Sequence, residues 1–423
     1  MKLVTIIFSL VFISSTHTYK IQQFPDFAGI PEIVESDSSG NVYAVEKVEE
    51  NRQLWKINPS KEVLWKIKIP EVYKIIINNQ NNVYVVFLEK SIFFTTYRLT
   101  ILNEETAIFQ EIDRYLTECF VLDDEGNLIY SQDEDGGVYL LRPNSTSPIL
   151  IKNLEYYRIF DSTSVVTDIY GNTYLQVSQK PSEYISVITK DAKQEDIPHA
   201  DVISFLAYYR GTESLVLDQR QNLYIMSHNS SISSHDGYID KLVNKTIKQI
   251  LNDKDVFGHR ALAVEDRIYV ISWSAVGSRG NMFFINLDDE MVQIPGLTSL
   301  TTDQDLSARL VNDKDGNLYF GGPRDLQSLI NSSLGLIKYG EMNPIAIQFE
   351  EGTVKDFLVD EEDNLWILQF SVYHLKKGEV IAEKLDSFNV SYDYFTELHL
   401  NKKTNEVYIL TKKGLYYVSN DSN

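Results

Sequence analysis

Along nearly its whole length the sequence repeats one alternation: a short apolar run, a polar turn, and a second apolar run with large side chains at alternate positions. The stretch Asp313-Lys314-Asp315-Gly316-Asn317-Leu318-Tyr319-Phe320 shows it most plainly. A mostly apolar run from Ala308 to Val311 leads into a turn where Gly316 takes a positive φ at little cost, and Leu318-Tyr319-Phe320 leaves as a strand. The pattern predicts a hairpin.

Copies of it start at Asp37, Asn78, Asp123, Asp168, Asp218, Asp360 and Asn401, and a shortened form runs from Asp266 to Tyr269. Taking the Asn of the motif or its equivalent as a marker, the nine copies stand 41 to 50 residues apart. A period in this range with strand-type alternation is the signature of a β-propeller, one four-stranded antiparallel blade per repeat. In the first period the four strands are expected near 33–35, 42–45, 54–57 and 63–67, and in the eighth near 357–359, 365–368, 372–375 and 380–382. No stretch beyond residue 18 keeps a helical spacing over a dozen positions.

The expected fold is therefore all-β: a single β-propeller over residues 19–423 with nine repeats of about 45 residues. Nine blades are expected, or eight if the irregular region from about 225 to 290 forms no blade of its own. The C-terminal repeat lacks an outermost strand, while Tyr19 to Phe24 is an orphan strand at the other end. Pairing the two closes the ring and removes an open sheet edge.

The motif Asp-x-x-Gly-Asn has the look of the start of a calcium loop. An EF-hand, however, needs a bidentate Glu at its twelfth position and flanking helices, and this motif recurs in every repeat. It reads as a structural turn in which Asp and Asn bond to their own backbone and the following aromatic ring packs between blades.

Composition agrees with strands: 26 Tyr and 20 Phe, with frequent Ile and Val, suit half-buried pleated surfaces. Residues 1–18 stand apart as Met1-Lys2, an apolar run from Leu3 to Ile13, and small polar residues to Thr18, the arrangement of a secretory signal peptide. The single cysteine, Cys119, excludes an intrachain disulfide. N-glycan acceptor patterns at Asn144, Asn229, Asn244, Asn331, Asn389 and Asn420 agree with a secreted, extracellular glycoprotein. A net charge of −21 argues against nucleic acid and anionic membrane surfaces as partners. A monomer is expected.

Repeats with a D-x-x-G-N-[LV]-[YW]-[VI] core resemble those of NHL-repeat and gluconolactonase/regucalcin-type propellers. The secreted acidic form, with strands such as Leu415-Tyr416-Tyr417 after Gly414, is similar to the insect ommochrome-binding proteins. That resemblance implies a carrier of a tryptophan-derived pigment in haemolymph.

In a propeller the ligand site lies at one mouth of the channel, on the loops entering each innermost strand. About five residues before each turn these loops carry Glu32, Tyr73, Glu118 and Glu213 among others, and they are rich in rings and cations: Tyr73, Tyr115, Phe160, Tyr208, Tyr209, Arg210, His259, Arg260 and Tyr394. Such a mouth suits a planar anionic ligand through stacking and charge-assisted hydrogen bonds. Glu32 matches the first metal-binding Glu of the gluconolactonase-type pattern E-G-P-x-W, without the Gly, Pro and Trp that follow there. With Glu118 and Glu213 it forms the alternative reading, a calcium-dependent lactonase or esterase. No other cofactor is expected, because no metal-ligating histidine pair, nucleophile elbow or phosphate loop occurs. The reading is a binding protein for a small aromatic molecule or for another protein, with no catalytic residues assigned.

Overall fold

The computed structural model describes residues 19–420 except 25, 28, 91–94, 133–136, 154–157, 160–164, 180–181, 190–193, 201–208, 231–234, 244–245, 255, 275–278, 296–299, 302–308, 322–333, 351–353, 370 and 387–394. Every regular element among the described residues is a β-strand. The strands form nine antiparallel units in chain order, each starting at its innermost strand.

Blade 1 is Ile30–Ser36, Val42–Val48, Asn51–Ile57 and Val63–Ile69. Blade 2 is Val72–Ile77, Val83–Lys90, Thr95–Asn103 and the first half of Ile108–Leu122, whose second half opens blade 3 ahead of Leu128–Gln132, Gly137–Leu141 and Ile149–Asn153. Blade 4 comprises Val165–Thr167 with the short Arg158–Ile159, then Thr173–Gln179, Ser182–Ile188 and Gln194–Ala200. Blade 5 is Tyr209–Leu217, Leu223–Ser230, His235–Val243 and Thr246–Lys254, and blade 6 is Val256–Val264, Arg267–Ser274, Arg279–Asn286 and Met291–Gln293. Blade 7 is Arg309–Asn312, Leu318–Gly321, Leu334–Ile337 and Ile345–Ala346, and blade 8 is Asp356–Val359, Leu365–Leu368, Val372–Leu375 and Glu383–Asp386. Blade 9 supplies Phe395–Asn401, Glu406–Thr411 and Gly414–Asn420, and Tyr19–Gln23 adds its outermost strand with Ile21 opposite Val418. The described strands between 225 and 290 thus belong to two blades, and nine blades are counted among the described residues.

Packing between blades follows from the alternation along each second strand. Tyr43, Tyr84, Tyr224, Tyr269, Tyr319 and Tyr408 are all fully buried. Burying a side chain of this class contributes about 1.5–3 kcal/mol, so the repeated aromatic is a main source of cohesion in a chain without a disulfide. At the seam, Val34, Val42 and Trp55 of blade 1 pack with Tyr408, Leu410 and Leu415 of blade 9, and Phe24 and Phe27 fill the junction.

One strand differs from expectation, and another joins two blades. The apolar run 380–382 pairs sideways with Gln348 at the end of blade 7, through Gln348 N to Val380 O and Ala382 N to Gln348 O, so the fourth strand of blade 8 starts only at Glu383. Blades 2 and 3 share the unbroken strand Ile108–Leu122, bent where Tyr115 takes a φ of 57°, and so merge into one seven-stranded sheet.

The repeated turn is a hydrogen-bonded unit. Asp313 Oδ1 accepts from the Asp315 and Asn317 backbone N–H groups, and its Oδ2 accepts from Asn317 Nδ2 and the Tyr319 hydroxyl. Asp37, Asp168 and Asp360 repeat this, with Trp366 Nε1 in place of the tyrosine hydroxyl in blade 8. Blade 2 carries Asn78 instead. Its side-chain nitrogen donates to Gly126 O, and Asn82 Nδ2 and the Tyr84 hydroxyl are buried without a hydrogen-bond partner among the described residues.

Neighbouring turns are also tied to one another. Where the left-handed position of the turn is not glycine, its side chain accepts from the residue after the motif Asp in the preceding blade: Ser38 N to Asn81, Ile169 N to Gln221, Lys314 N to Asp363 and Glu361 N to Asn405. Where that position is Gly40 or Gly126, the preceding turn's Asn401 or Asn78 donates to the glycine carbonyl. These bonds form a belt on one face of the ring.

Candidate binding faces of the propeller

The turns occupy one face, and the loops entering the innermost strands occupy the other. On the loop face, Tyr73 is the second residue of the innermost strand of blade 2, five residues before Asn78, and is 39% exposed. It packs on Tyr97 with ring centroids 4.7 Å apart at 56°. Tyr97 lies opposite Leu116 in the merged sheet, and the preceding Tyr115 is 40% exposed. Phe120 continues the row inward, 6.5 Å from Tyr97. Tyr73 is therefore a part-exposed ring seated on a buried aromatic row, and Tyr115 is a second part-exposed tyrosine in the strand where blades 2 and 3 join.

Of the other residues expected to bind ligand, Phe160, Tyr208 and Tyr394 lie outside the described residues. Tyr209 and Arg210 open the innermost strand of blade 5, and His259 and Arg260 lie within that of blade 6; only their backbone is described. Glu118 and Glu213 likewise have described backbone alone. Glu32 is engaged by Arg52, whose Nε donates to Oε2 at 2.6 Å and whose NH2 reaches Oε1 at 3.2 Å, with Lys47 Nζ 3.9 Å away. Among the described residues no group of three His, Cys, Asp or Glu is arranged to hold a metal ion. Of the glycan acceptors, Asn144 is exposed in a turn of blade 3 and donates to Gln80, Asn229 and Asn420 lie at strand ends with backbone alone described, and Asn244, Asn331 and Asn389 are outside the described residues.

Further along the innermost strands lies a polar strip that sequence reasoning missed. His399 Nε2 and Ser36 Oγ are 3.1 Å apart across the seam of blades 9 and 1, and Lys74 Nζ donates to Phe120 O at 3.4 Å. Burial and the nearby Glu397 push the Glu35 carboxyl up to about 7, while burial lowers His399 to about 4. Asp356 accepts from Leu398 N at 2.8 Å and pairs with Arg309. Glu35 and His399 each stand two residues before a turn, where other repeats carry Ile76, Val121 or Val216; those exceptions were the available signal.

The turn face carries ion pairs between blades. Lys56 Nζ of blade 1, 2.5 Å from Glu104 of blade 2, lies over the Tyr43 ring, and the Tyr43 hydroxyl, which donates to Asp37, also lies against Glu104. Lys241 of blade 5, 2.6 Å from Asp289 of blade 6, lies over Tyr224, and the Tyr224 hydroxyl donates to Asp289. Burial, with Asp37 close by, pushes Glu104 up to about 7. Against the upward push of burial, hydrogen bonds from Lys241, Tyr224 and Lys248 hold Asp289 below its ordinary value. The spacing of these pairs is legible once the register is known, since Lys56 faces Tyr43 and Lys241 faces Tyr224 across adjacent strands.

No protein-family model and no curated protein sequence matches the chain. Among solved structures it is similar to virginiamycin B lyase from Staphylococcus aureus, at 10% identity and a TM-score of 0.39, covering 95% of this chain and 99% of that one. It is also similar to the C-terminal WD40 domain of Sif2, at 10% identity and a TM-score of 0.48 over 95% and 99% of the two chains. Saccharomyces cerevisiae Sqt1 aligns at 11% identity and a TM-score of 0.46 over 95% and 98%. At these identities the likeness concerns the fold alone.

Proposed function

We propose that this protein is a secreted, non-enzymatic propeller that binds a small planar aromatic molecule, an ommochrome-like pigment or another tryptophan metabolite, at its loop face. The observation that carries the reading is the tyrosine pair of blade 2: Tyr73 keeps about two fifths of its surface open while packed on the buried Tyr97, and Tyr115, next to Tyr97's cross-strand partner Leu116, is open to the same extent. Stacking between offset rings contributes about 0.5–1.5 kcal/mol beyond area burial, so two such rings and an apolar floor suit a flat ligand. Glu32 supports this reading over the lactonase one, because its carboxylate already serves Arg52.

The test is a fluorescence titration with 3-hydroxykynurenine and xanthurenic acid. Saturable quenching that is lost in a Tyr73→Ala/Tyr115→Ala variant is the expected result. Wild-type protein that shows no quenching, or quenching unaltered in the variant, would overturn the proposal.

A further inference from the structure

The nine turns make one face of the ring; turn 6 is shortened, and seven of the other eight carry only polar residues between the motif Asp or Asn and the left-handed position. Those positions hold Ser38-Ser39, Asn79-Gln80, Asp124-Glu125, Gln219-Arg220, Lys314-Asp315 and Glu361-Glu362, among others. Turn 4 departs from this with Ile169-Tyr170. Ile169 is 75% exposed and Tyr170 67%, the two highest values among the exposed large apolar side chains described.

The turn needs neither side chain. Asp168 accepts from Tyr170 N and Asn172 N through Oδ1, and from Asn172 Nδ2 and the Tyr174 hydroxyl through Oδ2, while Gly171 takes the left-handed φ of 81°. The Ile169 N–H is bound to Gln221 of the next turn at 3.0 Å. Backbone and neighbours are therefore fixed, and two large apolar groups are held in water on a rigid platform. Such preorganised anchors, one aliphatic and one aromatic, are the usual centre of a protein interface.

Charge selects the occupant. The chain carries a net −21, and of the two neighbouring turns, turn 3 presents exposed Asp124 and Glu125 against the single cation Arg220 of turn 5. A second copy would bring the same net negative charge against this one, and like charges opposed across an interface are costly. A basic segment gains on both counts. We infer that Ile169 and Tyr170 are the apolar anchors of a docking surface on the turn face for a basic, apolar-studded protein segment.

The test uses full-length protein with Ile169→Ser and Tyr170→Ser together, which gives turn 4 the Asp-Ser-Ser-Gly-Asn of turn 1 and so preserves the fold. The probe is a fluorescein-labelled peptide of alternating Lys and Leu, read by anisotropy, with an alternating Glu and Leu peptide as the charge control. The inference expects saturable binding of the Lys/Leu peptide, weakened roughly tenfold or more in the double variant and also weakened in Asp124→Asn/Glu125→Gln. Failure of the Lys/Leu peptide to bind, equal binding to the Ser-Ser variant, or equal binding of the Glu/Leu peptide would overturn it. So would sedimentation showing a wild-type dimer that the Ser-Ser variant abolishes, since the occupant would then be a second copy. An unchanged melting temperature in the double variant separates loss of docking from loss of fold.

Discussion

The two faces of the ring are built on opposite rules. On the turn face the residues that repeat are those with fixed partners: each motif Asp holds its own turn, side chains such as Asn81, Gln221 and Asp363 hold the turn before, and Lys56 and Lys241 pair across blade seams. On the loop face the residues that matter do not repeat, and Tyr73 and Tyr115 keep about two fifths of their surface exposed. Repetition marks the scaffold, and its interruption marks the places where something else can bind. Turn 4 fits the same rule, since it interrupts a polar repeat with Ile169 and Tyr170.

Substitutions on the turn face are expected to lower stability and leave binding of aromatic ligands unchanged. The largest effect is expected for Lys241→Met, which leaves Asp289 beside Tyr224 without its main cation and should cost about 3 kcal/mol in urea denaturation at neutral pH. Lys56→Met should cost less at pH 6 than at pH 8, because Glu104 can take up a proton where Asp289 does not. Next comes Asp313→Asn, which removes the acceptor for Asn317 Nδ2 and the Tyr319 hydroxyl and should cost about 2 kcal/mol. Blade 2 lives with that arrangement at Asn78, so the converse change Asn78→Asp gives both donors an acceptor and gives up the bond to Gly126 O.

The pH dependence sharpens the contrast further. Glu104 titrates near 7 when folded against 4.5 when unfolded, so the folded state binds the extra proton between those values. Its contribution to stability is fully present below about 4.5 and is lost as the pH rises through 7. Glu104→Gln should flatten the melting temperature over that window. His399 acts in the opposite direction: with a folded value near 4 against 6.5, it contributes stability above 6.5 that is lost as the pH falls towards 4, and His399→Gln should remove that acid-side loss. A smaller effect, about 1 kcal/mol, is expected for Gly316→Ala. Its φ is 77°, and an added Cβ would lie 3.0 Å from Glu265 Cγ and 3.2 Å from the Tyr339 ring.

Much of this architecture is legible in the sequence because propeller blades are local. Each hairpin is announced by its own turn, so the nine markers placed nine units, and Tyr19 to Phe24 with no partner of its own pointed to the strand that completes blade 9. What was not legible depends on register and on contacts between blades. The polar strip of Glu35, Ser36, Lys74 and His399 joins residues more than 300 positions apart, and only the closed ring brings His399 to Ser36. The pairing of Gln348 with the run 380–382 is missed for the same reason, since apolar character marks a strand without saying which neighbour it joins. The belt of turn-to-turn bonds had a visible signal, a residue other than glycine at the left-handed position, that gains meaning only when adjacent turns are seen side by side.

The most direct test of this division between faces compares three proteins in one titration with 3-hydroxykynurenine: wild type, Tyr73→Ala/Tyr115→Ala, and Ile169→Ser/Tyr170→Ser. The account predicts saturable quenching that disappears in the loop-face variant and persists unchanged in the turn-face variant, with all three melting alike. Quenching that survives the loop-face change and is lost with the turn-face change would contradict it.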